Sequence, residues 1–306
     1  MAEPVCIAIP AYSERYFPEA FASALAQRYA PLEILVCDDS PGTAIEATVR
    51  AASDPRVRYV RNPGTLGFAG NFTKCFREAR ADLLKFLNDD DRLLPACVES
   101  LASVLEANPG VRLATSRRRV IGAQGEALAD VPATSPVSLL SALVFGRELG
   151  DLALVNSMNV IGEPTTVMFR RSHLPIEDDS VFRWGGHEYH CLADMSIWLR
   201  LLSSGLAYYC ASPLSEYRRH EGQEQQRPGA RLECTVERLW IVREARRAGF
   251  LAAEGAWRRA LEAILAPVEA AIASAAIDPQ ARAPLTRFAD EVRAQIAAAG
   301  GESPRL

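Results

Sequence analysis

From Val5 to Leu87 the chain alternates strand-length apolar runs with segments whose apolar residues recur at helical spacing, a pattern that restricts it to a parallel α/β sheet. Val5-Cys6-Ile7-Ala8-Ile9, Leu32 to Cys37, Val57 to Val60 and the run beginning at Leu83 read as strands. Between them Phe17, Phe21 and Leu25 fall on one helical face, Ala44 to Ala52 is a short helical segment, and Phe72 to Ala79 is another. Ligands of such sheets bind beyond the carboxyl ends of the strands. Polar residues gather at those ends here: Pro10-Ala11-Tyr12-Ser13-Glu14 after the first strand, Asp38-Asp39-Ser40 after the second, and Asn88-Asp89-Asp90-Asp91 after the strand at Leu83.

The acidic run admits two readings. Adjacent carboxylates repel one another and cost desolvation energy at a buried strand end, which favours a bound cation of the hard divalent type, Mg or Mn. A solvated turn whose Asp residues cap the helix beginning near Pro95 is the plainer alternative. Three strands delivering polar residues to one sheet edge favour the cation, because unrelated turns need not converge and convergent polar groups in a cleft mark a site.

Composition narrows the class. The 306 residues are 49% hydrophobic and 24% charged, enough for a large core in one domain or two. A net charge of -4 argues against nucleic acid as a partner, since phosphate backbones need a basic face. Arg117-Arg118-Arg119 reads as a solvated strand or loop face. The start lacks a basic leader, and no apolar stretch nears the ~20 residues that span a bilayer, so a cytoplasmic location is expected. Seven cysteines without CxxC spacing, including Cys6 and Cys37 inside strand-like runs, suggest reduced core thiols.

Later motifs are weaker. Gly64, Gly67 and Gly70 match neither a dinucleotide nor a P-loop fingerprint, and suggest close backbone packing or a loop beside a ligand. His187-Glu188-Tyr189-His190 is one residue short of a zinc-protease motif. Asp194 opens the helical run Met195 to Leu202, where an acid also suits the helix dipole. Val111 to Thr115, Thr165 to Phe169 and Ala207 to Cys210 are strand-like, and 127–159 is a poorly periodic insertion. From about Ala230 the chain is rich in strong helix formers and reads as a helical appendage.

In their order, these segments resemble the family 2 glycosyltransferases of the GT-A fold across roughly residues 4–226. Pro10 to Glu14 resembles the family's "P-x-Y-N-E" opening with Ser13 for Asn, and Asp38 to Pro41 its "D-D-x-S" segment with Pro41 for Ser. Asn62 to Asn71 parallels its "N-x-G-x-x-G" loop and closing Asn, and Leu87 to Asp91 its "L-D-x-D-D" metal motif with Asn88 where Asp is frequent. Ala193-Asp194 resembles the "E-D" of the catalytic base with Ala193 for Glu, and Tyr217-Arg218-Arg219-His220 the "Y-R-x-H" near the donor phosphates.

The resemblance implies an α/β GT-A fold, a mixed, mostly parallel Rossmann-like sheet flanked by helices. It would form a catalytic domain over 1–226, with a nucleotide-sugar half at 1–116 and an acceptor half at 117–226, and a helical extension at 227–306. It implies inverting transfer of a sugar from a nucleotide diphosphate, UDP or dTDP, to an acceptor hydroxyl on a small molecule, lipid-linked sugar or glycan. It assigns Pro10, Ala11, Tyr12, Glu14, Asp38, Asp39, Asn71, Asn88, Asp89 and Asp90 to the nucleotide-sugar, Asp90 and His220 to a Mn or Mg ion, and Asp194 to the catalytic base. Asp89 or Asp91 would face the sugar's developing positive charge. A homodimer through the C-terminal helices is a further expectation. A sugar-phosphate nucleotidyltransferase would carry a Gly-rich basic loop after the first strand, and Pro10 to Glu14 has none; a non-catalytic sugar-nucleotide binder would not need both Asp90 and Asp194.

Overall fold

The computed structural model describes residues 2–221, 230–274 and 279–299. The N-terminal half is the alternation read from the sequence: β1 (Val5–Ala11), α1 (Phe17–Leu25), β2 (Leu32–Asp38), α2 (Ala44–Ala52), β3 (Val57–Arg61), α3 (Gly67–Glu78), β4 (Leu83–Phe86), β5 (Arg92–Leu93) and α4 (Cys97–Ala107). The second half holds β6 (Val111–Ile121), β7 (Ala127–Leu128), β8 (Ala142–Phe145), α5 (Gly146–Val155), β9 (Met168–Arg170), a short hairpin of β10 (Arg183–Trp184) and β11 (His187–Glu188), α6 (Ala193–Leu202) and β12 (Leu206–Arg218). Three helices follow, α7 (Ala230–Arg247), α8 (Glu254–Ala273) and α9 (Pro279–Ala299). No described helix is long and apolar enough to cross a membrane.

The main sheet runs β3-β2-β1-β4-β9-β6-β12-β5. β1 pairs in parallel with β2 and β4, and β2 with β3, as connections that cross over through helices allow. β9 then enters antiparallel between β4 and β6, making the sheet mixed. Because side chains alternate along a strand, β1 feeds two cores. Val5, Ile7 and Ile9 join Phe17 and Phe21 of α1 and Leu101 of α4 on one face, while Cys6 and Ala8 join Phe72 and Phe76 of α3 and Trp198 of α6 on the other. Burying side chains such as Ile7 and Ile9, both at 0% exposure, contributes about 2 kcal/mol each.

Two expectations change, and a third gains a role. The strand foreseen at Ala207 to Cys210 continues to Arg218, passing Pro213 through register shifts that absorb its missing N–H. The C-terminal helices foreseen from composition are present, and they share the domain's core: Leu239, Ile241 and Val242 of α7 and Leu261 and Ile264 of α8 belong to the same core cluster as α3 and α6. Glu237 of α7 also accepts the backbone N–H groups of His190 and Leu192 at 2.9 and 2.8 Å. The cysteines divide. Cys6, Cys37, Cys75, Cys97 and Cys210 are buried thiols, but Cys191, before α6, and Cys234, on α7, form a disulfide whose Cα atoms are 5.2 Å apart. Their separation of 43 residues leaves no mark in local spacing, so packing alone brings them together.

α3 begins at Gly67, five residues before its apolar pattern, because of Asp39. Beyond the end of β2, Asp39 accepts the N–H groups of Leu66 and Gly67 at 2.8 and 2.9 Å, and Gly67 takes the positive φ of 72° that this entry needs. Asn62 donates to the same carboxylate at 2.8 Å. Asp39→Ala would orphan these donors and is expected to cost about 2 kcal/mol in urea unfolding. A loss below about 0.5 kcal/mol would remove Asp39 as the cap.

Candidate active site

The acidic turn after β4 splits its carboxylates among different tasks. Asp89 accepts the backbone N–H groups of Tyr12 and Ser13, both at 2.7 Å, tying the loop after β1 to the turn. Burial, opposed by those donors and helped by the charge of Asp90, lifts its pKa to about 6. Asp91 points inward at 1% exposure. One of its oxygens accepts Thr165 Oγ1 at 2.7 Å and Asn88 Nδ2 at 3.1 Å, and the other accepts the Arg218 N–H at 2.9 Å. Of the two acids expected near the sugar, Asp91 is thus already engaged; burial and the nearby Asp90 charge push its pKa well up. Asp90 faces the other way, with Oδ2 3.2 Å from His220 Nε2.

His220 is carried there by the end of β12. Arg218, 0% exposed, donates through Nε to the Asp90 carbonyl at 2.7 Å and pairs with Glu19 of α1 at 2.6 Å. Its guanidinium lies 4.5 Å from the Tyr16 ring, on which the His220 ring also packs at 4.8 Å. Asp90 and His220 thus meet as expected, although the strand that delivers His220 runs eight residues further than its apolar pattern. Among the described residues no group of three or more His, Cys, Asp or Glu side chains assembles. Two donors fit a Mg or Mn ion all the same, because such ions bind through one or two protein ligands and complete their shell with substrate phosphates and water.

On the nucleotide side, Tyr12 at 58% exposure and Glu14 stand free at the rim, and Pro10 and Ala11 are buried in β1. The other expected residues are already bonded within the protein. Asp38 accepts Tyr59 Oη at 2.6 Å, Arg61 Nη1 at 2.7 Å and the Ser40 N–H at 2.9 Å. Burial raises its pKa, yet these bonds outweigh it and hold the carboxyl below the usual range. Asp39 caps α3. Asn71 donates to the carbonyls of Ala11 and Cys37 at 3.2 and 3.1 Å, locking the ends of β1 and β2 together. Asn88 spends its amide nitrogen on Asp91 and its N–H on Thr165 Oγ1 at 3.1 Å. Tyr59 and Arg61 escaped the sequence reading; the only hint was a basic residue ending a strand beside Asp38.

Asp194, in the first turn of α6, stands on the wall of a cavity of about 500 Å³. Its two oxygens accept Asn159 Nδ2 at 2.6 Å and the Met195 N–H at 2.7 Å. Burial, aided by the charge of Glu163, lifts its pKa to about 7. The folded chain holds this proton more tightly than the unfolded one, so Asp194 costs stability increasingly as pH climbs from about 4 to 7. Arg118, expected on a solvated face, is 3% exposed and pairs with Glu163 of the same cavity at 2.7 Å. The reason is that β6 lies inside the sheet between β9 and β12, so alternate arginines turn inward while Arg119 stays outside.

Comparison with known proteins agrees with this geometry. Residues 6–132 match the family model described as glycosyl transferase family 2. The uncharacterized protein MT1568 of Mycobacterium tuberculosis is 29% identical over 245 residues, 78% of this chain and 74% of that protein. The UDP-Glc:alpha-D-GlcNAc-diphosphoundecaprenol beta-1,3-glucosyltransferase WfgD of Escherichia coli is 30% identical over 105 residues, 34% of this chain and 42% of that enzyme. Among solved structures, S. aureus TarS 1-349 in complex with UDP-GlcNAc aligns with 97% of this chain and 89% of its own at a TM-score of 0.55 and 12% identity, a likeness of GT-A fold alone.

Thr165 Oγ1 stands between Asn88 and Asp91 and is buried, so Thr165→Val changes its hydrogen bonding with little change of shape. Leaving a buried N–H and one carboxylate oxygen short of partners should cost about 1–3 kcal/mol in denaturant unfolding. An unchanged midpoint would show that the Asp91 junction does not need this hydroxyl.

Proposed function

We propose, for a chain that belongs through residues 6–132 to glycosyl transferase family 2, that it moves a sugar from a UDP-linked donor to an acceptor hydroxyl with inversion at the anomeric carbon. One observation carries the reading. The cavity that Asp194 lines is also lined by Tyr217 and Arg219, which flank Arg218 at the end of β12 just before His220, so one strand end links a carboxylate with a pKa near 7 to the Asp90–His220 pair. The donor nucleotide is supported by the UDP-sugars named for WfgD and TarS.

Each residue then has a defined task. Tyr12 and Glu14 at the exposed rim, with Asp38 and Arg61 beneath, receive the nucleoside. Asp90 and His220 would hold a Mg or Mn ion, whose chemistry when bound is to offset the charge that develops on the departing diphosphate. Asp89 stands as the nearby anion for the sugar's oxocarbenium character. Asp194 removes the proton from the acceptor hydroxyl; Asn159 and the Met195 N–H fix its carboxylate, and a pKa near 7 suits a base that must accept a proton in one step and release it afterwards.

Asp194→Asn should lower kcat by about 10²–10⁴-fold while leaving UDP affinity in Mn unchanged, and turnover near wild type would remove it as base. In the unaltered protein, kcat should rise about tenfold per pH unit below about 7 and level off above it, because protonated Asp194 cannot accept the hydroxyl proton. A flat profile from pH 5 to 8 would contradict that role. Asp90→Ala should abolish the gain in UDP affinity that Mn provides; equal gains in both proteins would exclude Asp90 as an ion ligand.

A further inference from the structure

α7 and α8 take no part in the chemistry above, yet they wall the cavity beside Asp194. Cys234, Arg238, Ile241 and Val242 lie at i, i+4, i+7 and i+8 on α7, one face of the helix, and all four line it. The Cys191–Cys234 disulfide clamps that face to the segment leading into α6, three residues before Asp194.

The lining divides by chemistry. Leu154, Met158, Ile241, Val242 and Ile264 make an apolar wall. The acids are already engaged, Glu163 by Arg118 and Asp194 by Asn159 and the Met195 N–H. The basic residues Arg219 and Arg238 are not: among the described residues neither guanidinium has a hydrogen-bond or ion-pair partner. Arg219 is exposed, while Arg238 is partly buried with its pKa depressed by burial. Withdrawing a guanidinium from water without a counterion is costly, and an anionic ligand would remove that cost. A guanidinium binds phosphate and carboxylate alike through paired N–H donors.

We infer that this cavity takes an amphipathic anionic acceptor, with a phosphate or carboxylate held by Arg238 and Arg219 and an apolar segment laid against Ile241, Val242 and Ile264. The assignment rests on Asp194 as the base that meets the acceptor. It makes α7 the element that sets acceptor specificity, with the disulfide keeping Arg238 in register with the base.

The test is calorimetric binding of three probes with equal chains, decyl diphosphate, decanoate and decyl maltoside, to the whole protein. At least one anion is expected to bind tenfold or more tighter than the neutral maltoside. Arg238→Gln should lose most of that preference, Arg238→Lys should keep part of it, and Arg219→Gln should show a smaller loss, each with a melting curve to confirm folding. Tightest binding by the diphosphate identifies a phosphate-bearing acceptor and tightest binding by decanoate a carboxylate-bearing one; both support the inference. Equal binding of all three, binding of none, or full anion preference in folded Arg238→Gln overturns it. UDP binding with Mn is measured beside these on the unaltered protein. UDP binding without anion preference sinks this inference alone, whereas anion preference without UDP binding upholds the cavity and sinks the glycosyl-transfer reading.

Discussion

The Asp91 carboxylate receives donors from three stretches that are far apart in sequence: Asn88 in its own turn, Thr165 ahead of β9, and the Arg218 N–H at the end of β12. At 1% exposure such a group can persist only when its partners are all in place, since a buried carboxylate short of donors costs several kcal/mol. Beneath it the Lys85 amine, also fully buried, donates to the Thr165 carbonyl at 2.6 Å, so Lys85 and Asp91 hold one residue from two sides. The geometry of the rim follows. Fixing Arg218 brings His220 to Asp90, and fixing Thr165 holds Glu163 where Arg118 can reach it and where Glu163 borders the space that Asp194 faces.

This junction explains why a run of three aspartates can stand at a strand end without mutual repulsion dominating. Their carboxylates do not share one environment. Asp91 is committed to the interior, Asp89 to the backbone of the loop after β1, and Asp90 alone turns toward a histidine. The same economy governs the end of β2, where Asp39 caps α3 and Asp38 is held by Tyr59, Arg61 and Ser40. Acids that a motif groups together thus act chiefly as joints between strand ends, and the remainder, exposed Tyr12 and Glu14 and half-buried Asp90, is a smaller set than the motif itself.

Legibility in the sequence followed the range of the forces involved. The parallel half was readable because β1, β2 and β4 are buried on both faces and so are written as continuous apolar runs. The placement of the acidic run at the sheet edge was readable from strand order, whereas Asp194 and His220 were assigned to the site only through the family resemblance. What escaped depends on partners distant in the chain. α3 starts early because Asp39, 28 residues back, caps Gly67; Arg118 turns inward because Glu163 awaits it; Cys191 and Cys234 meet across 43 residues. The C-terminal tail was read correctly as helical from its composition, but its apolar face gave no sign that its complement was the core shared with α3 and α6.

That packing bears on the chemistry. An aspartate at a helix N-terminus, accepting a backbone N–H and an amide donor, would ordinarily be a stronger acid than its free counterpart, because both contacts favour the charged form. Asp194 has these contacts and yet its pKa stands near 7, so withdrawal from water outweighs them. The cavity around it is closed on one side by Ala153, Leu154 and Met158, and on another by Arg238, Ile241 and Val242 of α7 and Ile264 of α8. The sheet and α6 supply the carboxylate and its orientation, but its low-polarity surroundings exist only once the C-terminal helices have packed onto the domain. A base poised near neutral pH is therefore a product of both parts of the chain.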